Sequence, residues 1–275
     1  MPDELLIMAL CWELNGKISV EEAYRQRSLH FYCPDKRCLI GVVPAKRTNY
    51  FFRGEPDAHK RGCRWEKQRN DGAAAAGLPR PEAAALPPPP TPTYLGAIPR
   101  IRRQPKPTPE QVRQLADRAD QVPIRYSGTL AQVVDAWCAM STEERSVYPL
   151  RVPAGDRTYA SAFQFLRDAS PDIARLGSET HIVFGKAEIR AGANYYFVDT
   201  VKRFGGPNGR LKISIRVPND ASSAEGLGQL VGVTATAFWH GPVPTLDRTQ
   251  TSFFTVAPDQ TVYSGLIVKA GEYQP

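Results

Sequence analysis

Long hydrophobic runs are missing from this sequence: none approaches the roughly 18 to 20 residues that a membrane span needs. The chain opens on Asp3 and Glu4 instead of basic residues, so an export leader is not expected either. Cysteine is scarce. The five thiols, Cys11, Cys33, Cys38, Cys63 and Cys138, are odd in number, which argues for reduced side chains and against a disulfide scaffold. Together these absences predict a cytoplasmic protein with no membrane association. Sequence signatures of catalysis are also missing. There is no G-x-S-x-G elbow, no phosphate loop ending in Lys-Ser/Thr, no H-E-x-x-H and no dinucleotide fingerprint. The glycine-rich stretch from Phe204 to Gly209 lies between two strand patterns with no helix to aim amides at a phosphate, so it reads as a hairpin loop. Glu188 with Asp199 is the one carboxylate pair near basic strands that a metal-dependent nuclease could use. On these grounds the chain is not expected to be an enzyme.

At 275 residues the chain is long for one domain, and its composition divides it. Residues 71–107 hold an alanine run, the prolines Pro87 to Pro90 and almost no apolar periodicity, so they are predicted to be a disordered linker. The net charge of +7 is unevenly spread. Residues 1–70 carry 13 Lys/Arg against 9 Asp/Glu, the linker 5 against 2, and the rest 17 of each. A basic front is compatible with a polyanionic partner through counterion release.

In residues 1–70, Cys33 and Cys38 enclose four residues, and His59 with Cys63 follows as H-x3-C. Zinc takes four Cys or His donors in a tetrahedron, and two close pairs on two turns can aim them at one point. A segment this short can bury only a marginal core, so metal binding would add folding free energy it needs. All four donors are Cys or His, which describes a closed, structural Zn2+ site. The bland alternative is three buried thiols and a surface histidine. His30 is close enough in the chain to replace His59, so the fourth ligand stays open between them. Ser19 and Glu22 form a capping box for a short helix up to Arg27, ahead of strand-like runs around the first cysteine pair.

The motifs "AL…NGKISVEEAY", "FYCP…C" and "KRTNYFFRGEPDAHKRGC" in Ala9 to Cys63 resemble the N-terminal zinc-containing segment of competence CoiA-like proteins. The resemblance implies a bacterial DNA-handling context. The chain departs from that family in its wider cysteine pair and in carrying no recognisable nuclease domain.

From Thr108 the pattern becomes α+β. Capping residues at Thr108, Thr129 and Ser141 start three helices, and a fourth is predicted over Tyr159 to Asp168, making residues 108–177 a helical block. Residues 178–275 then alternate with period two in six runs, with a polar stretch from Asn219 to Gln229 that could hold one short helix between strands three and four. That order predicts an antiparallel, OB-like β-barrel. Trp239 is expected to close the barrel, and Cys11, Trp137 and Cys138 to be core.

Along Arg210 to Val217 alternation places Arg210, Lys212 and Arg216 on one face. With Lys186, Arg190, Lys202 and Arg203, residues 186–216 carry seven cations against Glu188 and Asp199, interleaved with Tyr195, Tyr196 and aromatic neighbours. Cations along a phosphate track and rings for base stacking are what single-stranded nucleic acid needs. The function expected is therefore an accessory protein that binds nucleic acid, single-stranded DNA foremost, in DNA uptake, replication or mobile-element transfer. The zinc module would give a second contact or a protein partner. The alternative is a protein–protein adaptor with no nucleic acid.

Overall fold

Short apolar runs punctuated by turn residues build the first part of the chain. Met8–Cys11 (β1) turns through Asn15, which takes a left-handed conformation that asparagine tolerates, into Gly16–Ser19 (β2). Ser19 then caps Val20–Arg25 (α1), its side chain accepting from the Glu22 amide. Phe31–Tyr32 (β3), Gly41–Lys46 (β4) and Tyr50–Gly54 (β5) complete an antiparallel sheet in the order β2-β1-β3-β4-β5. The Phe52 amide donates to the Leu6 carbonyl at 2.7 Å, so β5 comes back to the chain just before β1.

In the computed structural model, residues 5–46, 50–54, 59–66, 91–121, 124–166, 173, 176–206, 209–221, 224–247, 253–256 and 264–275 are described. The chain divides into two units, one of Met1–Thr93 with Ala97–Ser127, the other of Tyr94–Gly96 with Gly128–Pro275. These limits fall elsewhere than the composition shifts. Residues 71–90 of the expected linker lie outside the described residues, whereas residues 91–107 are described. Within the latter, Tyr94–Leu95 (β6) and Ile98 are buried.

Pro109–Ala119 (α2), expected in the helical block, belongs to the first unit. Its stripe Val112, Leu115, Ala116 and Ala119 is spaced for one helix face and is buried with Leu10 and Tyr32. Lys17 and Lys36 reach its C-terminal end, pairing with Asp120 at 2.7 and 3.1 Å. These exposed pairs stabilise little, and the apolar face holds the helix in place.

The second unit takes up Tyr94–Gly96 and then runs on from Gly128, the last residue of Ser127–Gly128 (β7), into Leu130–Ala139 (α3) and Thr142–Val147 (α4), each helix with the capping box the sequence predicts. Two strands that the sequence did not announce follow, Pro149–Val152 (β8) and Gly155–Thr158 (β9). The fourth helix is a single turn, Tyr159–Ala162 (α5), because Phe163–Phe165 (β10) pairs as a parallel strand instead. Phe163 stacks on Trp137 at 4.9 Å, and Phe165 lies 5.1 Å from Phe184, a burial that outweighs the helical continuation.

Ile182–Ala191 (β11), Tyr195–Gly206 (β12), Gly209–Pro218 (β13), Ala235–His240 (β14), Thr245–Leu246 (β15), Phe253–Val256 (β16) and Gly265–Ala270 (β17) form the main sheet. A 3-10 turn at Leu227–Leu230 takes the place expected for a short helix. The strand order is β15-β16-β13-β12-β11-β14-β17, with β10 beside β11. This is an open, mixed sheet: β10 with β11 and β13 with β16 run parallel, and no closed barrel is found among the described residues. The physical reason lies in two opposite faces that are both apolar. Ile182, Phe184 and Phe238 pack with α3 around Trp137, while the alternate residues Val183, Ala237 and Trp239 join a second core with Ile213, Ile215 and Leu227. A barrel has one interior, and these strands have apolar partners on both sides. Trp239 is therefore core, as is Cys11, while Cys138 is only partly buried. No helix among the described residues is long and apolar enough to cross a membrane.

Trp137 is the keystone of the first of these cores, with Phe163, Phe184 and Phe238 all within 5.8 Å ring to ring and the Arg145 guanidinium 3.7 Å over its face. Trp137→Ala is expected to destabilise the second unit by about 3–5 kcal/mol, read as a shift of the denaturant midpoint by circular dichroism.

Candidate metal centre

The chain aims its four predicted donors at one point from two knuckles. Cys33 follows β3, and the turn after it is closed by the Cys38 and Leu39 amides, which both donate to the Asp35 carbonyl. Leu39 adopts a left-handed φ of 50° to leave that turn. The second knuckle is closed by the Cys63 amide on the Lys60 carbonyl, with Gly62 supplying the left-handed φ of 81°. Cys33, Cys38, His59 and Cys63 are all buried, and their ligand atoms lie within 4.8 Å of one another. Cys33 Sγ and Cys63 Sγ are 3.8 Å apart, and His59 Nδ1 is 3.5 Å from the sulfurs of both Cys38 and Cys63. No other group of metal-binding side chains occurs among the described residues.

The alternative ligand is engaged elsewhere. His30 Nδ1 lies 2.8 Å from Glu13 Oε1, and its Nε2 accepts from the Arg103 guanidinium at 3.3 Å. Both ring nitrogens have partners, and His59 is the histidine at the cluster. Burial, not surface exposure, is also the state of His59, which sets aside a reading of it as a solvated side chain.

Electrostatics at the cluster suit a cation. Burial pushes the Cys33 thiol up, and burial likewise raises Cys63 to about 11, so without a metal these two thiols would stay protonated. Burial holds the His59 imidazole below its usual range, in the neutral form that ligates, against an opposing pull from Asp35. Backbone amides reach two of the sulfurs: Lys60 N–H donates to Cys38 Sγ at 3.4 Å, and Trp65 N–H donates to Cys63 Sγ at 3.5 Å, which opposes the effect of burial on Cys63. The donor set of three thiols and one imidazole is soft, which selects a thiophilic metal over Mg2+ or Ca2+.

Asp35 is the functional residue that spacing alone did not single out. Its carboxylate accepts from the Arg37 guanidinium at 3.1 and 3.2 Å, from the Arg37 amide at 3.0 Å and, across to the other knuckle, from the Arg64 amide at 3.1 Å. The Arg37 side chain and these amides hold its carboxyl at about 2, so it stays ionised and laces the two turns together. The Pro34-Asp35 dipeptide after Cys33 carries the signal for such a turn.

The cations predicted to track a single strand are arranged differently from the expected stripe. Arg190 Nε and Lys212 Nζ both lie 2.6 Å from Asp199 Oδ2, and Asp199 is buried. Arg216 pairs with Asp247 at 3.2 Å and Lys186 with Glu272 at 3.4 Å. Lys202 is buried, and Tyr196 packs against the core. Arg203 and Arg210 are exposed without a carboxylate partner among the described residues, and Tyr195 is exposed at the start of β12. Asp247 and Glu272 come from outside the counted stretch, which is why sequence proximity overstated the free charge. Glu188 stands opposite Asp199 in the β11–β12 register, but Asp199 is already held by two cations, so this pair does not form a metal site.

Burial pushes the Asp199 carboxyl up, yet bonds from Arg190, Lys212 and Ser214 outweigh it and hold the group below its ordinary range. A carboxyl depressed on folding stabilises the fold above its unfolded pKa of about 3.9, and that contribution is lost as pH falls through the folded value. Asp199→Asn is expected to cost the second unit about 1–3 kcal/mol near pH 7, with the gap to wild type narrowing below about pH 4 in denaturant titrations. No protein-family model, no curated protein and no solved structure matches this chain.

Proposed function

We propose that Cys33, Cys38, His59 and Cys63 hold a structural zinc ion, and that the chain is a non-catalytic accessory protein that binds single-stranded nucleic acid, DNA foremost. Spacing carries the first half. A tetrahedral ion with Zn–S of about 2.3 Å and Zn–N of about 2.0 Å places two sulfurs about 3.8 Å apart and a sulfur and a nitrogen about 3.5 Å apart. The separations in this chain are 3.8 and 3.5 Å. Four Cys/His donors leave no place for a catalytic water, so the ion's work is to hold two knuckles of a small unit together.

The second half is supported by where the charge lies. Residues of the first unit carry 21 Lys/Arg against 14 Asp/Glu, and those of the second carry 14 of each, so the whole excess of 7 belongs to the metal-bearing unit. An excess confined to one unit is the footprint of a polyanionic partner. The resemblance of Ala9 to Cys63 to the zinc-containing segment of CoiA-like proteins points the same way, toward DNA uptake, replication or mobile-element transfer.

Metal analysis of the purified chain is expected to find about one zinc per chain, lost in Cys38→Ser and in Cys63→Ser, with a lowered melting temperature after chelation. A labelled single-stranded oligonucleotide is expected to be retained at about 50 mM salt and largely released at about 200 mM. Absence of retention at the lower salt would remove the nucleic-acid reading and leave the protein–protein adaptor in its place.

A further inference from the structure

The stretch between β6 and α2 carries cations and no acids. Arg100, Arg102, Arg103 and Lys106 fall within seven residues, all four are exposed, and no Asp or Glu occurs between Glu82 and Glu110. Pro99, Pro105, Pro107 and Pro109 fix their own φ and push the residue before each toward extended backbone, as Thr108 shows with φ −72° and ψ 160°. Side chains of the first unit grip this backbone. The Ile101 amide donates to Gln26 Oε1 at 3.3 Å, Gln26 Nε2 donates to the Ile98 carbonyl at 3.5 Å, and the Gln104 amide donates to Glu13 Oε1 at 3.4 Å. Gln26 and the side chain of Glu13 are buried, and Pro107 is buried beyond them. Arg103 is tied down as well, its Nε donating to His30 Nε2 at 3.3 Å. Arg100, Arg102 and Lys106 have no hydrogen-bond or carboxylate partner for their side chains among the described residues.

We propose that this strap, through Arg100, Arg102 and Lys106, holds the phosphate backbone of a single strand. The inference deepens the nucleic-acid reading above and rests on it. Extended chain from Arg100 to Lys106 covers roughly 20 Å, length enough for its cations to meet successive phosphates. A backbone held at Ile101 and Gln104 by buried groups lays out those cations with less chain entropy to lose on binding than a loose loop would have. Ala97 to Pro109 contains no aromatic side chain, so the stretch offers no ring on which a base could stack, and its contact falls on phosphate. In the second unit, by contrast, four of the cations expected to make this contact already have carboxylates against them.

The test uses the whole chain with labelled oligodeoxythymidine and oligodeoxycytidine, affinity being measured across a salt series for wild type and for the triple variant Arg100→Gln, Arg102→Gln, Lys106→Gln. Arg103 is left in place because it bonds His30. Each phosphate contact on a single strand adds about 0.7 to the slope of log affinity against log salt, so the triple variant is expected to lose about 2 from that slope on both oligonucleotides and to bind about 10- to 100-fold more weakly near 0.1 M salt. A melting temperature equal to wild type shows that the fold is intact. An unchanged slope in the triple variant, or a loss on one oligonucleotide alone, overturns this assignment while the nucleic-acid reading stands. A wild-type protein that binds neither oligonucleotide overturns both. If the triple variant melts early, Arg100→Gln, Arg102→Gln and Lys106→Gln are measured singly; each is expected to lose about 0.7 from the slope, and unchanged slopes in all three overturn the assignment.

Discussion

Three buried thiols and an imidazole converging within 4.8 Å need something to share, and the first unit depends on that requirement. Protonated sulfur is a weak donor and a weak acceptor, so without an ion the cluster would bury polar atoms with little to bond. An ion turns the same four groups into a crosslink between the strand end at Cys33 and the knuckle at Cys63. Asp35 repeats that crosslink in hydrogen bonds by accepting from both turns. The apolar stripe of α2 adds a separate packing contact in the same unit, against Leu10 and Tyr32.

The Cys/His cluster was legible in the sequence because its information is local. Each ligand pair is set by one turn, and C-x4-C with H-x3-C states both turns directly. What the spacing left open, His30 or His59, is decided by Glu13 and Arg103, residues far from either histidine in the chain that take up both ring nitrogens of His30. Helix starts were legible for the same reason: Thr108, Thr129 and Ser141 each bond an amide three residues on, as the capping pattern requires.

Long-range partnerships were not legible. The stripe on α2 says that the helix buries a face and carries no address for the partner, so the sequence alone does not tell that the helix packs on Leu10 of β1 and Tyr32 of β3. The alternation in Arg210 to Val217 correctly separates the two faces of a strand, but it cannot show that Asp247 meets Arg216 or that Arg190 comes alongside Lys212 on one carboxylate. The strand order misled in a related way. Three strands, a short helix and more strands suit a barrel, whereas the fully buried run Ala235–His240 has neighbours on both faces and belongs to the middle of an open sheet.

The return of the chain bears on how the protein can be dissected. The first unit is assembled from two stretches, Met1–Thr93 and Ala97–Ser127, with Tyr94–Gly96 counted in the second. Cutting at the compositional border near residue 70 would strip α2 from the sheet and leave Leu10 and Tyr32 facing water, so a fragment made that way would be a poor surrogate for the unit that carries the Cys/His cluster. Neither would a cut near residue 107 serve, since the helix that covers the sheet lies beyond it. A piece that keeps this sheet and its helix together has to run past Ala119, where α2 ends.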